Sequence, residues 1–214
     1  MTEYFGQEYR QAQRRWELIL PECSMDTIFI TPLWQSIWWK RFSPDGNLFI
    51  EVVSDGDCDL GVIPLLVRQG VASFIGDANL YDYMDFPVVS GKEELFFSKA
   101  LKKISNLDWH TLKLESIFED SPTLEFIPDV ARELGMEIET IESDKTPLVS
   151  LPGSWEEYLL QLRKKDRHEL RRKFRRLNAS AGNEQIEVHV DAENVDPVME
   201  EFFDLMAFSG EDKS

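Results

Sequence analysis

Apolar positions recur with two different periods along this chain, and the alternation between them predicts its elements. A polar stretch with scattered apolar residues runs to Leu20 and is halted by Pro21, which predicts an opening helix. Thr31-Pro32 sets a capping residue before a proline at a first helical position. In the helix that follows, Trp34, Trp38 and Phe42 fall on one face with Leu33 and Ile37 beside them, whereas Trp39 lies off it. The face is expected to pack into a core, the alternative being an aromatic cage for a ligand, and Trp39 is expected to be partly exposed. Residues 47–54 alternate, 60–68 form an apolar run and 71–75 a third extended piece. The turns Asp55-Gly56 and Gln69-Gly70 between them predict an antiparallel meander.

Residues 76–87 read as a loop, and from Gly91 the period becomes helical through Leu95, Phe96, Ala100, Leu101 and Ile104. A strand is expected over 111–115, a helix from Ser121-Pro122 to Leu134 closed by Gly135, and two strands over 136–141 and 147–151. Strands interleaved with helices predict an α/β fold with a mixed, largely antiparallel sheet and flanking helices. Leu151-Pro152-Gly153 is the best boundary and separates residues 1–150 from 151–214. After it, Ser154 and Glu157 form a capping box. A long helix broken near Lys164 should reach Leu177, followed by a loop, a strand over 185–190 and a helix over 195–208.

Composition narrows the function classes. With 43% hydrophobic and 12% aromatic residues in 214, the chain has the material for a core, and disorder is excluded. Its 23 basic residues against 40 acidic give a net charge of -17, a field that repels nucleic acids and anionic membranes as whole-surface partners. Cys23 and Cys58 are too few and too far apart for a disulfide framework or a zinc knuckle, and the three histidines have no ligand spacing, so no metal is expected. The chain contains no P-loop, no G-x-G-x-x-G and no G-x-S-x-G elbow. The longest apolar run, over 62–67, is far short of the roughly 18 residues that span a bilayer. The first residues lack the basic and apolar regions of a signal peptide, so a soluble, cytoplasmic protein is expected.

Two stretches carry candidate chemistry. In 163–176, nine of fourteen residues are Lys or Arg and two are acidic, so this segment carries +7 and the remainder of the chain -24. Leu162, Leu170, Phe174 and Leu177 would lie along one stripe, with Arg163, Arg167 and Arg171 on a neighbouring face and Arg172 and Arg176 on another. Glu169 is placed to pair with Lys165 and Lys173. Such a helix is either a solvated counterweight to an acidic body or a site for carboxylate or phosphate groups, which guanidinium forks bind bidentately. The loop offers Asp82 and Asp85 as paired carboxylates or an amine-binding group, and Tyr83 as a proton donor. Against that, Asp and Asn are ordinary turn formers and the tyrosines have packing value.

Six segments, in their order, resemble a known family: Thr31-Pro-Leu-Trp-Gln-Ser-Ile-Trp-Trp-Lys, Gly61-Val-Ile-Pro-Leu, Phe74-Ile-Gly-Asp, Asp82-Tyr-Met-Asp-Phe, Leu151-Pro-Gly-Ser-Trp-Glu-Glu-Tyr-Leu and Arg167-His-Glu-Leu-Arg-Arg-Lys-Phe-Arg-Arg-Leu. Together they are similar to the CelD/BcsL-like acyltransferases of cellulose and exopolysaccharide biosynthesis, GNAT-type proteins related to the FemAB peptidyltransferases. The likeness runs from Thr31 to Phe208. It implies a degenerate GNAT-like domain over 1–150, then a basic linker helix and the beginning of a second GNAT-like half over 151–214, with much of the catalytic half missing. No acyl-CoA pyrophosphate loop is visible, and Arg68-Gln-Gly-Val-Ala echoes one only poorly. The implied reaction is acyl transfer from acetyl-CoA or another acyl-CoA, without metal, to an amine or hydroxyl of a small-molecule or saccharide acceptor. Arg163, Arg167, Arg171 and Arg172 would bind substrate or CoA, and Asp82, Tyr83 and Asp85 would serve catalysis. Two other readings stand beside it. One is a non-catalytic module binding a polypeptide that supplies the missing half; the more distant one is tRNA or nucleic-acid binding through residues 163–176.

Overall fold

Two tight turns set the sheet. In the computed structural model, which describes residues 5–42, 45–180 and 195–211, β1 (Asn47–Asp55) and β2 (Cys58–Arg68) pair antiparallel, with Asp55 opposite Cys58 across Gly56-Asp57. Strand β2 then turns through Gln69 (φ 51°) and Gly70 (φ 76°) into β3 (Val71–Phe74). Positive φ at both central residues is what a type I′ hairpin turn requires. Gly70 meets a second constraint, since a β-carbon there would stand 2.4 Å from the His110 ring. The fourth strand, β4 (Thr111–Lys113), pairs parallel to β3, giving the order β1-β2-β3-β4. A parallel neighbour needs a crossover connection, and α3 (Glu93–Ile104) supplies it.

Proline in a central strand is unusual because it removes a ladder donor, and Pro64 sits opposite Ile50 in β2. Its carbonyl accepts from Ile75 N–H at 3.3 Å, and it has no N–H to return. The first half of β2 is instead flanked by residues 87–89: Val62 N–H donates to Pro87 O and Val89 N–H to Leu60 O, both at 2.9 Å. Gly61 permits this approach, because a β-carbon on it would lie 2.5 Å from Pro87 O and 2.7 Å from the Phe96 ring.

The chain separates into two compact units, Met1–Lys145 and Thr146–Ser214. In the first, the sheet is covered on both faces. Phe96, Phe97, Ala100, Leu101 and Ile104 of α3 bury against Ile63, Leu65, Phe74 and Phe86, and α4 (Pro122–Glu133) adds Ala131 and Phe126. On the other face Trp16 and Ile19 of α1 (Arg10–Ile19) pack with Ile50, Val62, Leu66 and Ile75. Each of the leucine, isoleucine, valine and phenylalanine side chains removed from water here contributes about 1.5–3 kcal/mol. Ion pairs fasten both layers to the hairpin. Arg15 of α1 forks onto Asp59, which also accepts from Ser54 Oγ at 3.0 Å, while Lys99 and Lys103 of α3 reach Asp55 at 2.6 Å and Glu51 at 2.5 Å. The Arg15 guanidinium holds the Asp59 carboxyl below its usual range.

Helix α2 (Pro32–Phe42) starts where its cap predicts, with Thr31 Oγ1 accepting from Trp34 N–H at 3.2 Å. Its packing face differs from the expected one. Trp38 is buried, but Leu33, Ile37 and Phe42 are more than half exposed, and Gln35 and Ser36 are buried in their place. The helix is turned toward the 76–87 loop. Gln35 Nε2 donates to Phe29 O at 3.2 Å and to Met84 Sδ at 3.7 Å, and Trp34 meets Phe29 and Tyr81 edge-on. Trp39 is half-buried. The two strands expected over 136–141 and 147–151 do not form: that segment has no ladder partner, and Ile141, Leu148 and Leu151 are exposed. Every residue of the two runs except Met136 is exposed, so neither buries the apolar face that holds a strand in place.

In the second unit α5 (Trp155–Gln161) opens on Ser154, whose Oγ accepts from Glu157 N–H at 3.2 Å. An extended Leu162 breaks the helix, and α6 (Lys164–Ser180) continues through the expected loop at 178–180. The strand expected over 185–190 lies outside the described residues; α7 (Val195–Glu211) follows. No helix among the described residues is long and apolar enough to cross a membrane.

Candidate functional site

The 76–87 loop is tied down residue by residue. Asp77 Oδ1 accepts from the backbone and side chain of Asn79, both at 2.8 Å, an Asx turn that lowers the Asp77 pKa. Tyr81 is buried against Trp34 and Phe29, and burial raises its pKa. Asp82 is exposed, whereas Tyr83 is half-buried with its ring edge-on to Phe118 at 5.5 Å.

Asp85 has a different environment. It is 3% exposed, and both oxygens are taken: Oδ1 by Phe86 N–H at 2.7 Å and by the Thr123 hydroxyl, Oδ2 by the Ser121 hydroxyl. Ser121 caps α4 by accepting from Thr123 N–H at 2.9 Å, so the carboxylate sits where the first turn of α4 presents its orphan donors. Burial raises the Asp85 pKa and outweighs the three hydrogen bonds that favour its charge. With Asp82 in solvent and Asp85 enclosed, the two do not form a pair of equivalent carboxylates; Asp85 anchors the loop to α4.

The basic segment of the second unit divides just as clearly. Arg163 is paired with Asp166 at 2.7 Å, and Arg172 grips Glu169 through two bonds of 3.0 and 2.5 Å. Glu169 thus pairs at i+3 with Arg172 in place of the expected Lys165 and Lys173, and its carboxyl is held below the usual range. Arg167 donates to Leu159 O at 3.3 Å and so ties α6 to the last turn of α5. Arg171 has no side-chain partner among the described residues, and neither does Arg175 one turn on. With His168, Phe174 and Trp155 these two line a hollow of about 420 Å³. Trp155 is stacked on Tyr158 at 5.4 Å, meets Phe174 edge-on at 5.5 Å, and remains 47% exposed.

Of the four arginines singled out from the sequence, the hollow takes only Arg171. Arg175 and His168 had a readable signal: 168, 171 and 175 follow helical spacing on one face, next to Phe174. What the spacing omitted is the short helix folded back to bring Trp155 over that face. Among the described residues, no three His, Cys, Asp or Glu side chains gather to hold a metal ion. Compared with family models, with curated proteins and with solved structures, the chain finds no match in any of the three.

Proposed function

We propose that the chain is an acyl-CoA-dependent acyltransferase of GNAT type, in which the α5–α6 element holds the phosphorylated nucleotide end of CoA. The observation that carries this reading is the hollow itself, where Arg171 and Arg175 stand beside the exposed Trp155 indole. CoA joins phosphates to a purine. Guanidinium forks take phosphate oxygens in pairs, and an aromatic face takes the flat base. The resemblance over residues 31–208 supplies the reaction class, and a mixed α/β sheet with helices on both faces is compatible with it.

In the proposed reaction an acceptor amine or hydroxyl attacks the thioester carbonyl. The acyl–sulfur bond breaks as the acyl–nitrogen or acyl–oxygen bond forms; a base removes the acceptor proton, and the CoA thiolate takes one up. In the loop, Asp82 is the carboxylate with solvent access and Tyr83 the neighbouring hydroxyl, and these are the groups assigned to proton movement. Asp85 is left out because its oxygens already bind Phe86, Ser121 and Thr123.

Isothermal titration of the full chain with CoA tests the reading. Charge-assisted bonds are worth about 1.5–3 kcal/mol each, so Arg171→Ala with Arg175→Ala should weaken binding by ~100-fold or more. Trp155→Ala should weaken CoA but leave inorganic pyrophosphate unchanged. Absence of CoA binding at millimolar concentration, or affinity unchanged in the arginine variant, overturns the proposal.

A further inference from the structure

Helix α7 presents a wide apolar face to solvent: Met199, Phe202, Phe203 and Leu205 are 37–68% exposed. At 100° per residue these positions form one continuous arc, and Asp196, Glu200 and Asp204 run along one flank of it at intervals of one turn. Helix α6 carries the complement. Its apolar seam includes Leu170 and Phe174, and Arg167, Arg171 and Arg175 follow the corresponding flank at the same one-turn interval. When two helices face each other antiparallel, corresponding flanks meet. The order of rungs is then Arg167 with Asp204, Arg171 with Glu200, and Arg175 with Asp196. In the chain itself neither seam covers the other: Phe174 meets only the edge of Trp155 and stays 45% exposed, and Phe202 is 50% exposed.

The geometry points to a second copy of this chain as the occupant of that face: α7 of each copy lies antiparallel along α6 of the other, apolar seam on apolar seam, with three arginines opposite three carboxylates. The exchange is reciprocal and therefore closes on a two-fold axis rather than propagating. Matched spacing and opposite sign set orientation and register, as flanking charges do in paired helices. Bound CoA and the partner's α7 would use the same Arg171 and Arg175 and so exclude one another, but the pairing stands on charge and spacing alone.

Light scattering on the eluting full chain reads the result directly. The expected mass is twice 24.9 kDa, falling toward the single-chain value as protein is diluted and salt is raised, because salt screens the exposed rungs. Arg171→Glu with Arg175→Glu, and separately Asp196→Arg with Glu200→Arg, should each give the single-chain mass with helical content unchanged by circular dichroism. Mixing these two variants should restore the doubled mass, since each then faces an opposite charge. A single-chain mass for the unaltered protein at every concentration overturns the proposal. So does association that both variants retain, a mixture that stays single-chain, or a species larger than two copies.

Discussion

Ser121 donates its hydroxyl to Asp85 Oδ2 while its own oxygen accepts from Thr123 N–H, so one side chain joins the loop carboxylate to the start of α4. Ser121 and Thr123 are 5% and 2% exposed, and neither reaches water easily if Asp85 is lost. Asp85→Ala strands two hydroxyls and the Phe86 N–H, each worth about 1–3 kcal/mol when buried without an acceptor. Removing the buried charge gives part of this back, so the expected loss is ~2–4 kcal/mol by urea denaturation. Asp85→Asn should cost less, because the Ser121 hydroxyl can turn to accept from an amide.

The same carboxyl gives a pH signature. Its folded pKa is raised by burial, so the stability it contributes is fully present below its unfolded value and is lost as pH rises through the folded one. Relative to Asp85→Asn, which does not titrate there, the unaltered protein should gain stability when taken from neutral to mildly acidic pH. Equal urea midpoints for the two across that window would assign the charge no cost.

Asp59 behaves in the opposite sense. Arg15 depresses its folded pKa, so its stabilising effect is present above the unfolded value, about 3.9 for an aspartate, and is lost as pH falls through the lower folded value. The pair is partly exposed, which keeps its worth to roughly 0.5–1 kcal/mol. Asp59→Asn should cost that amount at neutral pH, with the difference closing in acid.

Gly61→Ala tests the approach of residues 87–89 to β2. The added carbon meets a backbone oxygen at 2.5 Å and a packed ring at 2.7 Å, and neither can retreat cheaply. A loss of about 1–3 kcal/mol is expected, the usual range for overfilling a packed interior. Melting temperature and the amide exchange of Val62 and Val89 should report it together.

On α2, apolar residues in solvent and polar ones inside make a sharper test. Leu33→Ser and Ile37→Ser should each change stability by no more than about 0.5 kcal/mol, as at other exposed sites. Trp38→Ala should cost about 3–5 kcal/mol. The reverse ranking would place Leu33 and Ile37 in the core.

The three-stranded meander, the caps at Thr31 and Ser154, the helix start at Ser121-Pro122 and the break before Lys164 were all legible, because each rests on local chemistry: turn glycines, cap oxygens, a change of period. What the sequence hid depends on partners distant along the chain. Helical spacing nominated the tryptophan face of α2, but Phe29 and the 76–87 loop decide which way that helix turns. The alternating runs at 136–141 and 147–151 have the form of strands but bury no face and pair with none. In the candidate sites, residue type identified Asp85 and the arginines, while geometry separated them. Asp85, Arg163 and Arg172 have protein partners, and Arg171 and Arg175 do not among the described residues.

Pro64 settles where the sheet gives way to the loop. Were residue 64 any other amino acid, it would donate to Ile75 O and close a full ring of bonds with Ile75, and β3 would gain at least one more rung. Lacking that hydrogen, the pairing stops at Phe74, and the chain is released one residue before Gly76. The place at which the 76–87 loop leaves β3 is thus set by a ring nitrogen on the neighbouring strand, and the stretch of β2 beyond it is left open for residues 87–89 to return to.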